Sequence, residues 1–183
     1  DFGLLGRGDE LLGNPYHYQD SRTSGMFDKA FAVVSREEIF AQTGLQFMEL
    51  NTLYQFLAMK LQKSPLLDIA ESMLMMPDLF HWLLTGEKAN EMTDVSTTQM
   101  YNPLTGTWAT GMLEQFGLPT HLLGEIVPPG TRLGQVRSDV AEATGLKGVQ
   151  VVLPGTHDTA SAVMAVPAAS VAGAQPDWCY ISS

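Results

Sequence analysis

Apolar residues recur at helical spacing through much of the first half of the chain. Between residues 51 and 63 they form one mostly apolar face, which predicts an amphipathic helix. Upstream, Ser35 and Glu38 have the spacing of a capping box, in which the serine oxygen accepts a hydrogen bond from an early helix amide. Another helix is therefore expected to begin at Ser35 and to stop at Gly44.

Proline and glycine mark the bounds of the other predicted helices. Pro65 suits the first turn of a helix, and the apolar residues that follow it as far as Leu74 predict a mostly buried face. Pro77 opens the next helix, and Gly86 ends it. Shorter helices are predicted at residues 112–116, 138–144 and 160–166.

Two stretches have the character of strands. Residues 1–18 carry short apolar runs broken by glycines and an Asn-Pro pair, which predicts a hairpin whose second strand ends at Tyr18. Residues 149–153 are the best candidate for a buried strand. A loop over residues 154–159 leads from this strand into the last predicted helix.

Composition narrows the classes of function. The chain has 183 residues, is 45% hydrophobic and carries a formal net charge of −10. It is long enough to bury a core, and its acidic balance leaves no basic stripe for a nucleic-acid backbone. No apolar run reaches the ~20 residues of a membrane span. The single cysteine, Cys179, excludes an internal disulfide and fits a cytoplasmic location.

Both ends of the chain resemble internal positions of a longer sequence. The sequence begins at Asp1 without a methionine, and residues 180–183 resemble the middle of a strand. We therefore expect the chain to be part of a longer protein.

The predicted strand, loop and helix over residues 149–166 carry the most informative chemistry. Asp158 would lie near the first turn of the helix, just beyond a strand end, where ligands commonly bind in α/β folds. The helix amides would favour its ionised carboxylate, which can accept a proton or orient a hydroxyl for attack on phosphorus. His157 beside it can donate a hydrogen bond to a sugar oxygen. Taken alone, the pair is better explained as a plain helix cap and a loop histidine.

Other chemistries find less support in the sequence. The four histidines show no metal-ligand spacing, so no metal site is predicted in the chain. Neither a Walker-type phosphate loop nor a nucleophile elbow occurs. The hydroxyl-rich stretch at residues 93–98 fits either a capped helix start or the polar wall of a site.

Seven segments together resemble the FGGY family of carbohydrate kinases, and within it the kinases of L-rhamnulose. They occur in order over essentially the whole chain: YQDSRT at 18–23, GLQF at 44–47, NTLYQ at 51–55, LMMPD at 74–78, LTG at 84–86, EMTDVSTTQ at 91–99 and HDTASAV at 157–163. Each segment alone is unspecific, whereas the ordered set is specific.

The resemblance implies an α/β fold of the ribonuclease H-like type, that of the sugar kinase, hsp70 and actin superfamily. In that fold two domains face each other across a cleft. Residues 1–173 would be the later part of the N-terminal, sugar-binding domain, and residues 174–183 would begin the C-terminal, ATP-binding domain. The family's phosphate-binding hairpin and the Gly-Thr motif of its ATP site are absent from the chain, so the chain alone is expected to be inactive.

The resemblance also implies roles for five residues. Asp158 matches the family's catalytic base, and His157 matches a substrate-binding histidine. Tyr18 aligns with an aromatic position that lines the sugar pocket, with a core tyrosine as the alternative. Asn51 and Gln55 fall in the first signature region and are expected to face the sugar, although Asn51 suits a helix cap equally well.

The implied reaction is transfer of the γ-phosphate of ATP to the 1-hydroxyl of L-rhamnulose. ATP and Mg²⁺ would be bound mainly by parts of the protein outside this chain. The alternatives are another ketose, such as L-fuculose or L-xylulose, and a non-catalytic sugar-binding relative. The sequence gives no indication of the oligomeric state.

Overall fold

The computed structural model describes residues 1–168, 175 and 178–181. The strands of this part of the chain are β1 (Phe2–Leu5), β2 (Ser72–Met75), β3 (Asn90–Glu91), β4 (Tyr101–Asn102), β5 (Thr107–Trp108), β6 (Ile126–Val127), β7 (Arg132–Gln135) and β8 (Gln150–Val152). The helices are α1 (Met26–Phe31), α2 (Arg36–Thr43), α3 (Thr52–Leu61), α4 (Leu66–Ile69), α5 (Met76–Thr85), α6 (Met92–Val95), α7 (Thr110–Gln115), α8 (Ser138–Thr144) and α9 (Asp158–Met164). No helix among the described residues is long and apolar enough to cross a membrane.

The strands pair two by two over the described residues. β1 and β2 are antiparallel, with Phe2 opposite Met75, and β7 and β8 are antiparallel as well. β4 and β5 form a hairpin, whereas β3 and β6 run parallel, with Asn90 opposite Ile126. This parallel pair matters for the site because it holds Glu91, the last residue of β3, against the loop that follows β8.

The predicted N-terminal hairpin forms only in part. The chain turns back after β1 through a 3₁₀ turn at Arg7–Asp9, and the N–H of Leu12 donates to the carbonyl of Leu4 at 3.0 Å. The strand that pairs with β1 along its length is β2, however, and residues 16–18 lie outside any strand. This partner lies far along the chain, so no local turn signal points to it.

The core forms around α3, which is buried over most of its length. Leu53, Tyr54 and Phe56 are fully buried, and the ring of Phe56 packs on that of Phe2 with centroids 4.7 Å apart. The ring of Tyr54 meets that of Phe27 edge-on. The sequence of residues 51–63 predicts one apolar face, whereas every residue from Thr52 to Met59 is buried, so the helix is covered on several sides.

The helix predicted from Pro65 to Leu74 is wrong in its second half. α4 stops at Ile69, and residues 72–75 form β2, whose last three residues are buried. A strand covered on both faces is a continuous apolar run, so its sequence lacks the alternation that distinguishes a strand from a helix.

Helix bounds predicted from capping residues are confirmed. Ser35 Oγ accepts a hydrogen bond from the N–H of Glu38 at 3.1 Å, and Gly44 ends α2 with a φ of 60°, which glycine adopts without steric cost. α5 and α8 likewise end at glycines in the left-handed conformation, Gly86 and Gly145.

The strand predicted at residues 149–153 is confirmed, but its burial is not. All three residues of β8 are partly or largely exposed, whereas Leu153, which follows, is fully buried. The loop after Leu153 leads directly into α9, which begins at Asp158. The predicted domain boundary between residues 173 and 174 lies outside the described residues.

Candidate functional site

A cavity lies at the N-terminal end of α9. Its volume is about 430 Å³, within the range of small-molecule sites. Four of the five residues implied by the sequence, Tyr18, Asn51, His157 and Asp158, line this cavity together. The other lining residues come from the chain start, from the segment before and at the start of α3, and from the turn after α6: Asp1, Leu45, Met48, Leu50, Thr52 and Thr97.

Asp158 is the first residue of α9, and its side chain is 97% exposed. Its Oδ1 accepts a hydrogen bond from the N–H of Thr159 at 2.6 Å. His157 Nε2 lies 3.7 Å from the same oxygen, so the imidazole and the carboxylate form one polar unit in the cavity wall. An exposed carboxylate in this position can accept a hydrogen bond or a proton from a ligand hydroxyl.

Tyr18 lies in an irregular segment before α1 and is 41% exposed. Its ring packs against that of His17, with centroids 4.4 Å apart. The alternative of a core tyrosine is therefore wrong, and the ring forms part of the cavity wall.

Asn51 is buried at the position before α3, yet its side chain does not cap the helix. Its Nδ2 donates instead to the carbonyl of Gln46 at 3.2 Å and to Gln99 Oε1 at 3.1 Å. Its Oδ1 is buried and has no hydrogen-bond partner among the described residues. A buried acceptor without a partner costs free energy, which the two hydrogen bonds of Nδ2 and the surrounding packing have to offset.

Gln55 lies one turn further along α3 and is buried behind the cavity. Its Oε1 accepts a hydrogen bond from Arg22 Nη2 at 2.7 Å, and its Nε2 donates to the carbonyl of Leu50 at 3.0 Å. Because Leu50 lines the cavity, Gln55 supports the wall from behind and is not part of the lining itself.

Gln99 is a residue of the site that its sequence context did not reveal. It is fully buried, its Oε1 accepts hydrogen bonds from Asn51 and Tyr54, and its Nε2 donates to the carbonyl of Leu45. Its φ of 59° lies in the left-handed region, which non-glycine residues rarely adopt. Backbone strain of this kind persists only where the surrounding contacts force the conformation. Here those contacts are the hydrogen bonds of Gln99, which hold the cavity wall in place.

Two acidic side chains close to the cavity have shifted pKa values. Burial raises the pKa of Asp94 to about 6. For Glu91, burial alone would raise the pKa, but hydrogen bonds from Thr93 and Thr156 outweigh that effect and lower it. Glu91 is therefore held as a carboxylate, and Asp94 titrates closer to neutrality.

The described residues do not fit a metal site. In this part of the chain no group of three or more His, Cys, Asp or Glu side chains is arranged to hold a metal ion. The cavity offers a carboxylate, an imidazole, a phenol and a carboxamide, which suit the hydroxyl groups of a small neutral ligand.

Comparison of sequences relates the chain to carbohydrate kinases. Residues 2–165 match the N-terminal domain of the FGGY family of carbohydrate kinases. The chain is 40% identical over 183 residues, its full length, to a rhamnulokinase of Oceanobacillus iheyensis, of which it covers 37%. It is 38% identical over 168 residues, 92% of its length, to a rhamnulokinase of Bacteroides thetaiotaomicron, of which it covers 35%. The chain thus spans little more than a third of the length of these relatives.

Solved structures share the fold. The chain superposes on a xylulose kinase from Lactobacillus acidophilus with a TM-score of 0.76 at 21% identity, over 84% of this chain and 31% of that one. It superposes on a glycerol kinase from Plasmodium falciparum with a TM-score of 0.73 at 17% identity, over the same shares of the two chains, 84% and 31%. The expected α/β fold, that of the sugar kinase, hsp70 and actin superfamily, is therefore confirmed.

Proposed function

Because this chain belongs to the FGGY family of carbohydrate kinases, we propose that the protein containing it phosphorylates a ketose with ATP. The acceptor in this proposal is the 1-hydroxyl of L-rhamnulose. Residues 1–173 then belong to the N-terminal, sugar-binding domain, and residues 174–183 begin the ATP-binding domain.

The observation that carries the proposal is the common cavity of Asp158, His157, Tyr18 and Asn51. Asp158 accepts the proton of the 1-hydroxyl as the sugar oxygen attacks the γ-phosphorus of ATP. A carboxylate is sufficient for this role because phosphoryl transfer depends more on positioning and charge stabilisation than on a strong base. His157 donates a hydrogen bond to a sugar oxygen, and Asn51 forms part of the wall against which the sugar lies.

Two observations support L-rhamnulose as the sugar. The relatives at 38% and 40% identity carry the name rhamnulokinase. The cavity also has an apolar side, formed by Leu45, Met48 and Leu50. L-Rhamnulose is a 6-deoxyketose, and its methyl group can lie against apolar side chains without losing a hydrogen bond to water. L-Fuculose shares this methyl group, whereas L-xylulose lacks it.

In this proposal ATP and Mg²⁺ are held mainly by parts of the protein outside this chain. The isolated chain of 183 residues is accordingly expected to show no turnover. A cytoplasmic location suits a protein that consumes ATP, and the single cysteine of this chain fits that location.

The test is an ATP-coupled assay of the complete protein with a panel of ketoses. L-Rhamnulose should give the highest kcat/KM, with L-fuculose next, and the product should be the 1-phosphate. A higher kcat/KM for L-xylulose or L-fuculose would assign a different ketose. Binding of a ketose in a calorimeter, without ATP-dependent turnover of any sugar in the panel, would make the protein a non-catalytic sugar-binding relative.

A further inference from the structure

The loop that carries His157 and Asp158 is fastened to the rest of the molecule by one buried carboxylate, that of Glu91. Glu91 is 0% exposed, and its Oε2 accepts hydrogen bonds from the N–H of Thr156 at 3.0 Å and from Thr156 Oγ1 at 2.7 Å. The hydroxyl of Thr93 donates to the same oxygen, and the N–H of Thr93 donates to Oε1 at 3.0 Å. Both oxygens of the carboxylate are therefore occupied by donors.

Thr93 extends this attachment to the next residue of the loop. Its Oγ1 donates to Glu91 and also accepts a hydrogen bond from the N–H of His157 at 3.2 Å. The backbone amides of the two residues before Asp158 are thus held by Glu91, one directly and one through Thr93. The carbonyl of Gly155, at the start of the loop, accepts a hydrogen bond from the hydroxyl of Ser161 in α9.

Glu91 can hold the loop because its own backbone is fixed. It ends β3, which pairs with β6, and its N–H donates to the buried carboxylate of Asp78 at 3.0 Å. The residue before it, Asn90, accepts a hydrogen bond from the N–H of Met75 at 3.3 Å, which ties β3 to β2. The loop is therefore anchored to the strands that border the core.

We infer that Glu91 is a positioning residue for the phosphoryl transfer, because it sets where His157 and Asp158 stand relative to the sugar. The effect of Glu91 on phosphoryl transfer rests on the proposed function, whereas the attachment of the loop to Glu91 does not. Glu91 does not line the cavity, so it acts through these two residues and not on the sugar.

A carboxylate is required at this position because every side-chain contact of Glu91 described above is with a donor. A glutamine could turn its amide either way, but its NH₂ group would then face a backbone N–H, either that of Thr93 or that of Thr156. Hydroxyl groups can rotate to adapt, whereas a backbone N–H cannot. The isosteric change Glu91→Gln should therefore loosen the loop without creating a cavity.

The test compares Glu91→Gln with Glu38→Gln in the complete protein. Glu38 lies in α2, away from the cavity lining, and its carboxylate accepts a hydrogen bond from Gln42. In Glu91→Gln we expect kcat for the ketose to fall about 100-fold, since a small misplacement of a reacting group has an effect of that size. KM should change by less than about threefold, because the lost interaction concerns the chemical step more than sugar binding. Glu38→Gln should leave both constants unchanged.

Hydrogen exchange measured by mass spectrometry separates positioning from general stability. Glu91→Gln should accelerate exchange by a larger factor in the peptide that contains Thr156 and His157 than in the core helix α3. A milder variant, Thr156→Val, keeps the backbone donor and should lower kcat about tenfold. Its control is Thr43→Val, which removes a buried hydroxyl that donates to Ile39 in α2.

The inference is overturned if Glu91→Gln and Thr156→Val match their controls in kcat and in exchange of the loop. The inference is also overturned if hydrogen exchange in Glu91→Gln accelerates throughout the protein while kcat of the folded fraction is unchanged. That result would indicate a purely structural role for Glu91. If the unsubstituted protein phosphorylates no ketose, the proposed function fails, and the exchange data alone then decide whether Glu91 holds the loop.

Discussion

Asn51 donates its side-chain amide to Gln99 Oε1 over 3.1 Å, across a sequence separation of 48 residues. The same oxygen accepts a hydrogen bond from Tyr54 Oη at 3.0 Å, and Gln99 Nε2 donates to the carbonyl of Leu45 at 3.1 Å. Burial raises the pKa of the Tyr54 phenol, so it remains a donor to Gln99 at physiological pH. Gln99 therefore links two residues of the cavity wall, Asn51 and Leu45, to Tyr54 in the core helix α3.

Removal of this junction should weaken both the fold and the site. Gln99→Ala removes the hydrogen bonds to Asn51, Tyr54 and Leu45, and we expect the free energy of unfolding to fall by about 1–3 kcal/mol. The KM for the ketose should rise, because Asn51 and Leu45 lose their support. Urea unfolding and steady-state kinetics measure the two effects. Gln62→Ala, at the exposed end of α3, is the control, and equal stability of the two variants would contradict the role of Gln99.

Asp158→Asn tests the proposed base directly. The amide keeps the size of the side chain but cannot accept the hydroxyl proton, so kcat should fall by about 10²–10⁴-fold, the range for loss of a general base. Binding of the ketose, measured by calorimetry, should change modestly.

The control for Asp158→Asn is Asp139→Asn, at an exposed aspartate in the first turn of α8. It places the same change at the start of another helix, outside the cavity lining, and should leave kcat unaltered. Near-normal turnover in Asp158→Asn would show that Asp158 is not the general base.

Features of the fold with local signals could be predicted from the sequence. The cap at Ser35, the glycine stops and the start of α9 beside His157 and Asp158 each depend on a few neighbouring residues. For the same reason the strand–loop–helix around Asp158 could be identified as the informative chemistry. The family resemblance added Tyr18 and Asn51, which the structure brings to the same cavity although they lie far from Asp158 in sequence.

Features that depend on distant partners could not be predicted. The sequence of β2 predicts a helix because a strand buried on both faces shows no alternation, and its partner β1 lies far away in sequence. Gln99 and Glu91 are polar residues in polar segments, and nothing local shows that both are fully buried. Their importance follows from hydrogen bonds made across long stretches of chain, which composition and periodicity do not report.

The apolar side of the cavity should determine which ketose is preferred. Met48→Gln replaces an apolar lining side chain by a polar one of similar length. We expect the unsubstituted protein to prefer L-rhamnulose to L-fructose, its 6-hydroxy counterpart, by about 10–100-fold in kcat/KM, and the variant to lose most of that preference. Met164→Gln, at an exposed residue of α9 outside the lining, is the control. If the ratio of kcat/KM for L-rhamnulose and L-fructose is unchanged in Met48→Gln, Met48 does not take part in recognition of the methyl group.

Two carboxyl groups near the cavity, that of the buried Glu91 and that of the partly buried Asp94, should give opposite dependences of stability on pH. The pKa of Asp94 is about 6 in the folded protein, above its ordinary value of 3.8, so the folded state binds the proton more tightly. Its contribution is fully present below pH 3.8 and is lost as the pH rises through about 6. Glu91 has a lowered pKa, so its contribution is present above its ordinary value of 4.5 and is lost as the pH falls through its folded value.

Thermal or urea unfolding of the complete protein at pH 4 and pH 8 separates the two groups. Asp94→Asn removes a buried charge, so the variant should be more stable than the unsubstituted protein at pH 8, by about 1–3 kcal/mol, and similar to it at pH 4. Glu91→Gln should be less stable at pH 8, and the difference should shrink in acid as the carboxylate is protonated. If Asp94→Asn were destabilising at pH 8, the ionised carboxylate would be stabilised by a partner in the folded protein, and its pKa would be lowered and not raised.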